Sequence, residues 1–71
     1  MSYGTVATIV QEVEQRRTAF AVARLIMMTG IDLRAYELNT VDDEQVLARI
    51  WKALPSVLSP ADLAALRAKL R

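Results

Sequence analysis

Apolar positions recur at helical intervals along most of the chain. Val6, Ile9, Val10 and Val13 fall three and four residues apart, while Gln11, Glu14, Gln15 and Thr18 lie on the other side, as in an amphipathic helix. No Pro or Gly interrupts Thr5 to Thr29, and Gly30 then offers a residue suited to the left-handed conformation that closes a helix. The pattern predicts one long helix over 5–29. Its second half differs from its first: Ala19 to Ala23 and Leu25 to Met28 wrap apolar surface around nearly the whole circumference, with Arg24 the only charge among them. A helix that is apolar all round has to be covered on more than one side. The rest of this chain offers only two or three short helices for that purpose.

The stretch Ile31 to Asn39 admits two readings. Ile31, Leu33 and Ala35 alternate with Asp32, Arg34 and Tyr36, as in a short strand. Alternatively Asp32 caps a short helix over 33–38 that Asn39 ends, and this is preferred because an isolated strand leaves backbone groups unpaired. Thr40, with Asp43 three positions on, resembles a capping box and predicts a helix over 41–54. Its apolar face is Val46, Leu47, Ile50, Trp51 and Leu54, and Pro55 ends or kinks it. Ser59-Pro60-Ala61-Asp62 is a second start signal, with Ser59 as N-cap and Pro60 at the first helical position. The helix it opens, over 60–70, would bury Leu63, Leu66 and Leu70. The expected fold is all-α: a single helical domain over 1–71, a small bundle of three main helices plus a short helical turn, packed or intertwined as a homodimer.

Size and composition lead to the homodimer. A chain of 71 residues makes one domain. Domains below roughly 70–80 residues draw about 3–5 kcal/mol from a single core and commonly add disulfides, a metal or an oligomeric interface. With no Cys and no His, the first remedy is closed and the second nearly so. Hydrophobic residues make up 54% of the chain, above the roughly 45–50% usual for soluble domains, so there is apolar surface left to cover. The expected contacts are Phe20, Ala23, Arg24, Ile26, Met27 and Trp51, with Trp51 also a natural core residue. Arg24 has to reach solvent or meet a carboxylate, such as Glu12 or Glu14 of a second copy's antiparallel long helix.

Chemistry of its own is not expected. General acid–base and nucleophilic catalysis rely most often on His or Cys, and the carboxylates sit where helix ends or exposed faces would put them. Asp42, Asp43 and Glu44 read as complements to a helix dipole rather than a cation site, since consecutive helical residues point apart. The two glycines, Gly4 and Gly30, are too far apart for a phosphate loop. No catalytic residue, cofactor or metal is assigned. The net charge of +1 supplies no field for nucleic acid, although Arg16, Arg17, Arg67, Lys69 and Arg71 are the residues that would contact phosphates in an alternative reading as a small nucleic-acid-binding regulator. The first residues lack a signal-peptide pattern, and the run Ala19 to Met28 is far shorter than the ~20 residues that cross a bilayer. The functional expectation is a cytoplasmic, non-enzymatic interaction module, adaptor or regulatory, that pairs with itself and with another protein and does not insert into membranes.

Overall fold

A computed structural model describes residues 2–71 of the chain. Four helices follow in order: α1 (Thr5–Arg16), α2 (Ala19–Thr29), α3 (Glu44–Ala53) and α4 (Pro60–Lys69). Two 3₁₀ turns, Leu33–Ala35 and Leu54–Ser56, link them. Apart from one isolated bridge, the described residues are helical or irregular, which agrees with the all-α expectation.

The expected long helix is two helices. Arg17 (φ −122°, ψ −107°) and Thr18 (φ −153°, ψ 171°) leave the helical conformation, and α2 folds back onto α1. The cause lies in the phase of the valine stripe. Its continuation from Val13, three and four residues on, falls on Arg16 and Arg17, both exposed. A straight helix would carry these cations, not apolar groups, along the buried face. Breaking there lets Val22 and Leu25 meet the α1 stripe from the other side. Ile9, Val13, Val22, Leu25, Leu33, Ile50, Leu54 and Leu66 are all fully enclosed in the resulting core.

The other boundaries shift for local reasons. Thr40 is not a cap: its hydroxyl accepts from the Glu37 N–H at 3.0 Å within a turn. Asp43 is the N-cap of α3, its Oδ1 accepting from the Gln45 and Val46 N–H groups at 2.9 and 3.3 Å. The helix expected over 41–54 therefore starts at Glu44, and the one expected over 33–38 shrinks to the turn Leu33–Ala35. Gly30 closes α2 at φ 70°, and Ser59 Oγ accepts from the Asp62 N–H at 3.2 Å to open α4, both as the sequence predicts. On α4 only Leu66 is fully enclosed, with Leu63 and Leu70 half-buried against the core.

The amino-terminal residues are tied down by distant partners. Tyr3 pairs antiparallel with Val41. The Gly4 N–H donates to the Thr40 carbonyl at 2.9 Å, and the Asp42 N–H to the Ser2 carbonyl at 3.1 Å. Asp42, adjacent in sequence to the cap of α3, serves α1 instead. It accepts from the Thr5 N–H at 3.0 Å and from the Thr5 hydroxyl. Burial pushes the Asp42 carboxyl upward, but hydrogen bonds from the Thr5 hydroxyl, the Ser2 hydroxyl and the Thr5 N–H outweigh it and hold the group below its ordinary value.

A carboxyl whose pKa falls on folding stabilises the fold fully above its unperturbed value of 3.8 and loses that contribution as pH drops through the folded value. Asp42→Ala is expected to cost about 1 kcal/mol near neutrality, the usual worth of a helix cap. In urea melts the gap between wild type and variant should narrow in acid. An undiminished gap at about pH 2 would show that the ionised carboxylate is not what stabilises the α1 start.

Candidate functional site: the outward face of α2

At ~100° per residue, Val22, Leu25 and Thr29 share the inward face of α2, and Phe20 and Met27 stand opposite them. Phe20 is 86% exposed and Met27 83%, with Met28 at 46% on one flank and exposed Ala23 on the other. Of eleven residues in α2, only Arg24 and Thr29 are polar. Thr29 turns inward, its hydroxyl donating to the Leu25 carbonyl at 3.0 Å. The outward face is thus an apolar ridge of Phe20, Ala23 and Met27 edged by Arg24. The fold resolves half of the covering problem, by enclosing Val22 and Leu25, and leaves the other half on the surface.

Of the expected contacts, Phe20, Ala23, Arg24 and Met27 come together on this ridge. Ile26 lies half-buried against the core, and Trp51 stands on α3, half-buried, with the Arg67 guanidinium carbon 5.1 Å from its ring centroid. Arg24 reaches solvent and forms no ion pair among the described residues. The carboxylates expected to meet it are engaged within the chain. Glu12, nearly enclosed, holds Lys69 at 3.1 Å and Arg16 at 3.7 Å, and Glu14 holds Arg34 at 3.4 Å. The burial of Glu12 comes from the tertiary approach of α4, for which the α1 sequence carries no signal.

The candidate phosphate contacts are dispersed. Arg16 reaches Glu12 and Asp62, Lys69 reaches Glu12, Arg67 covers Trp51, and Arg71 lies at the far end of α4. Only Arg17 and Arg16 adjoin the ridge, where with Arg24, Phe20, Ser56 and Val57 they line an open depression of about 440 Å³. A second depression, beside Met28 and Thr29, is lined by Arg49, Lys52 and Ala53. The two flank α2, which packs against α3: Ala53 lines the one beside Thr29, where Arg49 donates to the Thr29 carbonyl at 3.5 Å, and Ser56 lines the one beside Thr18 and Arg24. Arg49 and Lys52 come from a different helix, so their place beside Met28 and Thr29 of α2 could not be read from spacing.

None of the described helices is long and apolar enough to cross a membrane. Comparison with protein-family models, with curated proteins and with solved structures finds no match.

Proposed function

We propose that the chain is a non-enzymatic protein-interaction module whose working surface is the outward ridge of α2. The observation that carries this reading is the exposure of Phe20 and Met27 on a helix whose opposite face is completely buried. Apolar side chains scattered singly on a surface need no explanation, but a Phe and a Met one above the other on the same helix face form a continuous strip. Covering such a strip contributes on the order of 25 cal/mol per Å² removed from water. An aromatic anchor beside flexible methionines is the composition that binding surfaces use. Adaptor or regulatory work suits a body this small, which offers one ridge to a larger assembly.

A second copy would cover the ridge as a homodimer, and another protein would cover it as a hetero-complex. Sedimentation equilibrium separates these two forms. In either case Phe20→Asp is expected to abolish the association while leaving the helical circular dichroism nearly unchanged; the melting temperature holds for a hetero-complex and falls for a homodimer, because self-association stabilises the wild type. A wild-type chain that stays monomeric at millimolar concentration, and retains from its native cells the same proteins as Phe20→Asp does, would overturn the reading.

A further inference from the structure

Of the chain's nine basic residues, Arg16, Arg34 and Lys69 pair with carboxylates, Arg67 covers Trp51 and Arg71 ends the chain. The remainder, Arg17, Arg24, Arg49 and Lys52, form no ion pair among the described residues, and all of them line the depressions beside α2. No carboxylate lines either depression, and Arg49 also borders a neighbouring one that Asp43 lines. In a chain of net charge +1, these four cations without a carboxylate partner among the described residues therefore flank α2 beside its apolar ridge, with Arg49 also donating to the Thr29 carbonyl at 3.5 Å. Resting on the reading above, we propose that the occupant of the ridge is an acidic amphipathic helix of another protein. Its apolar stripe covers Phe20 and Met27, and its carboxylates meet Arg17, Arg24, Arg49 and Lys52.

Charge selects this occupant over a second copy. From Gln15 to Ile31 the chain has no acidic residue. A twofold pairing of α2 ridges sets the same patch against itself, bringing Arg24 towards its own image with no carboxylate from either α2 to offset it. A foreign helix with carboxylates on one flank meets the four cations without that repulsion. α2 spans eleven residues, about 16 Å, so three turns of a partner helix match its length. The ridge also selects against nucleic acid. Its centre holds thioether and methyl groups around a single ring, whereas phosphate-binding surfaces are polar and single-strand platforms stack successive bases on several aromatics.

The test is a displayed library of helical peptides with a fixed leucine stripe and randomised flanking positions, selected on the wild-type chain and counter-selected on Phe20→Asp. Asp and Glu should be enriched on one flank. A synthetic glutamate-flanked peptide should then bind at least tenfold tighter than its lysine-flanked counterpart by fluorescence anisotropy, and Arg17→Glu with Arg24→Glu should reverse that order. Neutral or basic flanks among the selected peptides, equal binding of the two synthetic peptides, or a homodimer that Phe20→Asp dissolves would overturn the acidic occupant and leave the binding ridge standing. Binding of random duplex DNA that needs Arg17 and Arg24 but survives Phe20→Asp would overturn the acidic helix in favour of phosphate. If no peptide depends on Phe20 and the chain does not self-associate, both the occupant and the ridge fail.

Discussion

Gly4→Ala is expected to destabilise the fold by about 2–4 kcal/mol, enough to unfold much of a domain whose core supplies only ~3–5 kcal/mol. Two effects combine. Gly4 has φ 71°, a left-handed conformation that costs an L-residue on the order of 1 kcal/mol. The larger effect is steric: an added Cβ would lie 2.4 Å from the Leu38 carbonyl oxygen, which is backbone and cannot rotate away. Relieving that clash separates Gly4 from Thr40 and draws Thr5 away from Asp42, so the start of α1 loses its partners together. Gly30 is the control. It is equally left-handed, at φ 70°, but an added Cβ there would meet nothing within 4 Å. Gly30→Ala should cost only the conformational part, about 1 kcal/mol. Urea midpoints for the two variants that are the same within error would show that the approach to Leu38 does not constrain the fold.

The second large effect separates the two faces of α2. Leu25→Ala should cost about 2–5 kcal/mol, because the side chain is fully enclosed and its removal leaves a cavity among Val13, Val22 and their neighbours. Phe20→Ala removes a larger side chain five residues earlier and should change the stability of the dilute chain by no more than about 0.5 kcal/mol. A ring of that size with no role in stability is what a surface kept for a partner requires. If Phe20→Ala lowers the melting temperature, and does so increasingly with protein concentration, the chain covers its own ridge by self-association. A loss that does not vary with concentration would place Phe20 in the core and remove the basis for the interaction reading.

Elements set by local physics are legible in the sequence. Ser59-Pro60 opens α4, Gly30 closes α2, and the valine stripe of α1 faces inward because each depends on neighbours within one or two turns. The elbow at Arg17–Thr18 carries no Gly or Pro; its break signal is charge at the stripe positions 16 and 17, which the absence of helix breakers over 5–29 conceals. The division of labour between Asp42 and Asp43 was beyond any local reading. Both precede α3, yet one caps it and the other reaches α1 across 37 residues of sequence. The ridge was largely legible, since α2 carries too much apolar surface for one inward face. The cations flanking it were not, because Arg49 and Lys52 come beside α2 only after α2 and α3 are set side by side.

Trp51 is the chain's only indole, and it sits where α3 meets Arg67 of α4. All tryptophan emission from this molecule therefore originates at a single joint between its last two helices. Of α4 only Leu66 is fully enclosed, with Leu63 and Leu70 half-buried, so this helix has less apolar contact to hold it than α1 has. Emission followed during denaturation registers the departure of Arg67 and the unpacking of Trp51 from the core, whereas far-ultraviolet ellipticity registers all the helices at once. The two curves superimpose only when the final helix leaves together with the rest, so the native protein, unlabelled, reports whether it unfolds in one step or sheds its carboxyl-terminal helix first.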